Sequence, residues 1–226
     1  MQIITISEEL TLAVPEVELS CIECDVQLVE KNDLLWNKIL KKVNHLSATM
    51  KIEEISKIPA IAASRKAYKN CGKDPARYRL SAEALLRRVL KRSEIYQINN
   101  VVDLLNLVSI STGFSIGGYD VEKIEGKAIF GIGKKSEPYS GIGRGDLNIE
   151  FMPVFRDEIG AFGTPTSDSQ RTSVSLETKR FLMIIINYGA TSSLEDATKM
   201  AVELLKQYAN AKNIEIRKIK CNEGIL

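Results

Sequence analysis

The chain of 226 residues contains one histidine, one tryptophan and four cysteines. A Ser-His-Asp or Cys-His mechanism would have to use His45, which lies in a lysine-rich helical stretch and reads as surface. The cysteines are Cys21, Cys24, Cys71 and Cys221, with a single C-x-x-C pair and no second pair to complete a zinc quartet. Cys21 and Cys24 lie in a strand-like stretch, where a spacing of three sends side chains to opposite faces, so buried or free thiols are expected. No apolar run approaches the ~20 residues of a membrane helix. The start, Met-Gln-Ile-Ile-Thr-Ile-Ser, lacks the basic segment and cleavage site of a signal peptide, so a cytoplasmic location without membrane partners is expected. No Walker sequence or H-E-x-x-H is present, and Gly141-Ile142-Gly143-Arg144-Gly145 has the wrong spacing for a dinucleotide fingerprint. Neither a cofactor nor a metal is expected. The formal net charge is only +2, so no global field marks a nucleic-acid binder. Local basic clusters (Lys38, Lys41 and Lys42; Arg87, Arg88, Lys91 and Arg92; Lys134 and Lys135) read as solvated faces or turns before they read as RNA contacts.

What is present is an ordinary globular composition, 44% hydrophobic and 27% charged, long enough to bury a sizeable core. Ile3 to Ile6 and Val17 to Leu28 read as strands. Asn32 or Asp33 can cap a helix with Trp36, Ile39, Leu40, Val43 and Leu46 on one stripe. Pro59 suits the first turn of the next helix, and Cys71-Gly72 ends it. Ser81 reads as the cap of a helix with Leu85, Leu86, Val89 and Leu90 inward, Glu83 in its first turn and the Arg87 cluster opposite. Asn99-Asn100 start another helix, with Asp103 favouring its exposed N–H groups and Gly113 ending it. Nine glycines between 113 and 145 mark short strands and tight turns. Phe151 to Phe155 reads as a strand. The continuous apolar run Phe181 to Ile186 predicts a strand buried on both faces. Ser192 with Glu195 forms a capping box for a last helix carrying Leu194, Ala197, Ala201, Leu204, Leu205 and Tyr208. Ile214 and Ile216 alternate with charges as a closing strand. Helices gather first and strands later, which argues for an α+β fold in one unit of residues 1–226, with 1–72 as an N-terminal extension of a 73–226 core.

Ile159 to Thr172 has neither helical nor strand periodicity. It packs hydroxyls, glycines and Asp168 between two apolar runs, as site-bearing loops do and as plain turns also do.

The stretch Ile98-Asn99-Asn100-Val101-Val102-Asp103-Leu104-Leu105-Asn106 resembles the phenylalanyl-tRNA synthetase beta chain, in the editing module made of its paired third and fourth B modules. That family reads I-N-N-V-V-D-x-T-N-Y and then G-x-P-L-H-x-F-D. Asn99, Asn100, Val101, Val102, Asp103 and Asn106 match the first part; Gly113, Ile116 (for Leu), Tyr119 (for Phe) and Asp120 follow the second at the same spacing. Ser81 to Arg88 is similar to the S-P-x-W-L-x-x-R-L segment upstream. The 159–172 loop is similar to A-G-V-M-G-G…S-E-V, with Gly160 and Gly163 near its glycines and Ser167-Asp168 near its Ser-Glu. The resemblance covers roughly residues 75 to 190. Gly72-x-Asp74-Pro75, Arg79-x-Ser81-x-Glu83, Arg87-Arg88 and Gly163-Thr164-Pro165-Thr166-Ser167-Asp168 also resemble the small stand-alone proteins that carry this module without a synthetase.

The resemblance implies a helical N-terminal half packed on a β-rich, sandwich-like core. It implies a pocket for the acceptor end of tRNA or an aminoacyl-adenosine-like ligand, able to hydrolyse a wrongly attached amino acid and not a complete ligase. Carried over residue by residue, Asn106 lines the pocket wall, Leu105 replaces a threonine, Gly117 replaces a histidine, and Asp168 stands one methylene short of the glutamate that recognises a tyrosine hydroxyl. Asp168 is then the catalytic candidate, with Asn106, Gly117, Gly160, Gly163, Thr164, Thr166 and Ser167 as substrate-binding candidates. The N–H groups of Gly160 to Thr166 are expected to face the substrate carbonyl, and Arg87, Arg88, Lys91 and Arg92 are the RNA-binding candidates. The residues themselves equally allow Asn106 to bond backbone within the helices, Asp168 to form an Asx turn, Arg87 and Arg88 to lie on a solvated face, and the chain to be a non-catalytic module that binds RNA or an amino-acid-like ligand.

Overall fold

The computed structural model describes residues 1–91 and 95–221. The strands are β1 (Ile4–Ile6), β2 (Val17–Asp25), β3 (Ser115–Asp120), β4 (Ala128–Ile132), β5 (Ser140–Gly141), β6 (Gly145–Asp146), β7 (Pro153–Arg156), β8 (Ala161–Gly163), β9 (Arg180–Tyr188) and β10 (Lys212–Lys220). The helices are α1 (Glu8–Ala13), α2 (Asp33–Thr49), α3 (Pro59–Asn70), α4 (Ser81–Leu90), α5 (Asn100–Thr112) and α6 (Leu194–Ala209). One sheet has the order β1-β4-β7-β8, the second the order β10-β2-β9-β3, and β5-β6 form a separate hairpin.

The fold is α+β in three layers, because β9 is apolar at every position from Phe181 to Ile186. Leu182, Ile184 and Ile186 pack with Phe130, Phe155 and Phe162 of the first sheet, while Phe181, Met183 and Ile185 pack on the other side against α5 and α6 residues such as Leu104, Val108, Leu204 and Leu205. Alternate residues of a strand face opposite ways, so a strand between two cores needs no polar face. The sheet is antiparallel throughout, although continuous apolar strands are more usual in parallel sheets. Helices cover one face here and the first sheet covers the other, which produces the same double burial. Cys21 and Cys24 fall in different cores, as their spacing requires. All four cysteines are free thiols. The 1–72 segment supplies β2, which lies between β9 and β10, and β1, which pairs in parallel with β4.

Several local expectations shift. The N-cap of α4 is Leu80 and not Ser81, whose N–H is held at 2.8 Å by the Pro165 carbonyl. The cap of α6 is Ser193, one residue beyond Ser192, and its hydroxyl accepts from the Asp196 N–H. Leu40 faces solvent, and Leu35 takes the core position on α2. The 159–172 stretch is not all loop, since β8 adds to the first sheet through β7.

The Asn-Asn-x-x-Asp motif is a clamp. The Asn99 side chain caps α5 by accepting from the N–H groups of Val101 and Val102. Asp103 accepts from the Ile98 N–H at 2.9 Å. Burial raises the Asp103 pKa to about 6, with the Ile98 hydrogen bond opposing the rise. Asn100, 1% exposed, accepts from the Val29 N–H and donates to the carbonyls of Gln27 and Tyr208. One amide thereby joins the start of α5, the exit of β2 and the end of α6. Asn100→Ala leaves three part-buried backbone groups without the Asn100 partner, and a loss of about 2 kcal/mol is expected in urea unfolding, with a loss below about 0.5 kcal/mol contradicting the clamp.

Candidate functional site

The site forms where the edge strand β3 meets the segment after β8. Tyr119 of β3 is 1% exposed and points between the sheets, edge-on to Phe162 at 5.0 Å between ring centroids. Its hydroxyl donates to Asp168 Oδ1 at 2.8 Å, and the Gly118 N–H donates to Asp168 Oδ2 at 3.3 Å. Two glycines make room for the phenol. A Cβ on Gly117 or on Gly163 would stand 2.1 Å from Tyr119 Oη. Neither backbone is in the left-handed region, so glycine is required there by the close approach of the ring alone. Leu105 of α5 closes on β3 from the helical layer, its Cδ1 2.7 Å from where a Cβ on Gly118 would lie.

Four neighbours fix the segment that carries Asp168. Thr164 Oγ1 accepts from the N–H groups of Thr166 and Ser167 and donates to the Ser167 carbonyl. Tyr68 of α3 shares a hydrogen bond with Thr166 Oγ1 at 2.9 Å. Tyr139 donates to the Ser167 carbonyl at 2.6 Å, and the Ile142 N–H donates to the Asp168 carbonyl at 2.9 Å. Tyr139 also lines a hollow of about 440 Å³ with Lys135, Asp146 and Asn148, beside the same segment. Further along, Arg171 grips Asp157 with two hydrogen bonds, at 2.8 and 3.0 Å. Burial opposes ionisation of Asp157, yet Arg171 and backbone donors hold its carboxyl below the ordinary range.

Asp168 has the opposite balance. Burial raises its pKa to about 7, and the hydrogen bonds from Tyr119 and Gly118 offset only part of that rise. It is therefore near half-ionised at neutral pH, where a carboxyl can hold or release a proton. The native state keeps a proton that the unfolded chain loses near pH 4, so this group's contribution to stability is greatest below pH 4 and is lost as pH rises through about 7. Asp168→Asn is expected to flatten that decline in stability between pH 4 and 7.5; an unchanged slope would mean that the carboxyl ionises as an exposed one.

The structure brings Asp168, Gly117, Gly163, Thr164, Thr166 and Ser167 together around Tyr119 and Tyr68. Gly160 stands apart, its N–H and carbonyl held by Asp157 and Arg171. The expected row of free N–H groups from Gly160 to Thr166 is corrected accordingly. Gly160 donates to Asp157 and Thr166 donates to Thr164, because these polar residues close local turns. Asp168 forms no Asx turn; its carboxyl bonds β3 instead. Asn106 is half-buried on α5, where its neighbour Leu105 makes the approach to β3.

The basic cluster on α4 is more built than a solvated face. Glu83, 1% exposed, binds Arg65 at 2.8 Å and Arg87 at 3.0 Å, with Arg79 at 3.8 Å. Arg88 lies over the Tyr96 ring at 4.7 Å, Lys91 is exposed, and Arg92 lies outside the described residues. Tyr68, Tyr139 and the Glu83 network were missed in the sequence. The run Gly117-Gly118-Tyr119 was the available sign of a ring needing room. Among the described residues, no group of three or more His, Cys, Asp or Glu could hold a metal ion, and no helix is long and apolar enough to cross a membrane.

A sandwich with helices on one outer face, and a buried acid at the sheet edge, define an α+β module whose candidate site is built around one carboxyl. Residues 63–210 match the B3/4 domain, and the chain belongs to that family, the module of the phenylalanyl-tRNA synthetase beta chain. Among solved structures, an N-terminal fragment of the phenylalanyl-tRNA synthetase beta subunit from Pyrococcus horikoshii matches at 13% identity and a TM-score of 0.49, covering 96% of this chain. The chain spans 51% of that fragment. No curated protein matches.

Proposed function

We propose that the chain is a cytoplasmic module that receives the aminoacyl-adenosine end of a tRNA beside Asp168 and hydrolyses the ester. The observation that carries this reading is the Asp168 carboxyl, placed by Tyr119 and Gly118 at the edge of β3 and poised near pH 7. An aminoacyl ester is already activated, so the protein need only place a water and bind the charges that develop. Each Asp168 oxygen accepts one hydrogen bond and keeps a lone pair for a ligand. Its ionised form would accept a proton from water or bind the substrate's α-ammonium. Family membership supports the choice of ligand, and Asn106, Thr164, Thr166 and Ser167 are assigned to the substrate-facing wall. The half-buried Arg87 and Arg88 of α4, with the exposed Lys91 just past its end, are assigned to the RNA backbone.

The test is a panel of mischarged tRNAs incubated with purified protein. At least one is expected to lose its amino acid faster than in buffer, with a rate that rises as pH passes through about 7. A panel as stable as in buffer removes the hydrolase reading. A second reading, a binding module without chemistry, is favoured by Gly117 standing where the resembling family has histidine. Under it the same tRNAs bind and stay charged.

A further inference from the structure

The β5–β6 hairpin is the one part of the Asp168 surroundings to which the reading above gives no role. It is tied to the site at its base, where Gly141 bridges to Ser169 and the Ile142 N–H holds the Asp168 carbonyl at 2.9 Å. Its tip is open. Gly143 and Gly145 have φ of +67° and +66°, and no atom lies within 4 Å of where a Cβ on either would point. Arg144 stands between them, exposed. Most of the other arginines here are committed: Arg156 to Glu137, Arg171 to Asp157, Arg180 to Glu23, Asp25 and Glu215, and Arg65, Arg79 and Arg87 to Glu83. Among the described residues Arg144 has no ion pair, although a guanidinium presents five donors in a fork suited to an oxyanion. It is also close to the site. Its charge reaches the buried Tyr68 hydroxyl, which bonds Thr166 of the Asp168 segment, and opposes the rise that burial imposes on that phenol.

The geometry points to Arg144 as the anchor for a nucleotide phosphate, holding the phosphodiester that precedes the terminal adenosine while the aminoacyl group lies at Asp168. This rests on the aminoacyl-adenosine reading of the Asp168 site. The tip glycines allow the guanidinium to approach a phosphate without a side chain on either flank. An acid at one end of the site and an unpaired cation at the other match a ligand that carries an ammonium at one end and a phosphate at the other.

The test uses the full chain and two probes, the trinucleotide CCA bearing a 3′-aminoacyl amide and adenosine bearing the same amide without phosphate. For the trinucleotide, Arg144→Gln is expected to raise Kd about tenfold and to reduce the slope of log K against log salt by about 0.7, the change for one phosphate contact on a single strand. The adenosine probe is expected to bind both proteins equally, and Arg144→Lys to recover part of the loss. Lys212→Gln, on the distant β10, is expected to change neither probe. If both probes bind and Arg144→Gln alters neither, or weakens both alike, the phosphate anchor is overturned and the Asp168 reading stands. If the trinucleotide alone binds, with the Arg144 effect, the anchor stands and the aminoacyl reading falls. If neither probe binds, both fall.

Discussion

Asp168→Asn is expected to reduce deacylation of a sensitive aminoacyl-tRNA by about 10²- to 10⁴-fold, the range for loss of a positioned general base. The amide is nearly isosteric: its oxygen can still accept from the Gly118 N–H and its NH2 can donate to Tyr119 Oη, which reverses one hydrogen bond and keeps both contacts, so the fold should survive. Burial of the carboxyl at a pKa of about 7 is a cost that the amide does not carry above pH 7, so stability at pH 8 should stay level or rise. A more stable and less active variant would separate a functional acid from a structural one. If Asp168→Asn loses stability and activity together, the carboxyl serves mainly to cover the edge of β3. Single-turnover rates and urea unfolding on the same preparations distinguish these outcomes.

Gly163→Ala carries the second large effect. The new methyl would stand 2.1 Å from Tyr119 Oη, 2.8 Å from Cζ and 3.0 Å from Cε1. Tyr119 cannot swing aside, because Phe155 and Phe162 pack against it and it is 1% exposed. A cost of about 2–3 kcal/mol is expected from overpacking, with loss of the Tyr119–Asp168 hydrogen bond. In a Tyr119→Leu background the same substitution should cost little, so the two changes should couple by at least about 1 kcal/mol. Additive effects would mean that the glycine answers to something other than the phenol.

Local features of the fold were legible. Pro59 starts α3, Asn99 caps α5, and the run from Phe181 to Ile186 is a doubly buried strand, because each depends on neighbours in sequence. The most family-specific stretch, Asn99-Asn100 with Asp103, was legible as a motif but not as a mechanism. Its asparagines hold chain ends together, and the three partners of Asn100 are 71, 73 and 108 residues away. The site was half legible. Asp168 stood out as an acid in a polar loop, while its partner Tyr119 is 49 residues distant and resembled any core aromatic. Glu83 read as a first-turn acid, since nothing local reveals that Arg65, from another helix, would bury it. The strand β8 was hidden because three residues are too few to display alternation.

The central claim is that Asp168, held by Tyr119, faces a bound aminoacyl-adenosine end. The most direct measurement is the carboxyl resonance of Asp168 by NMR, titrated over pH with and without an adenosine 3′-aminoacyl amide. The free protein should show a pKa near 7, and the saturating analogue should lower it as the ammonium pairs with the carboxylate. A midpoint near 4 in the free protein, or one near 7 that a bound analogue leaves unmoved, would contradict the account.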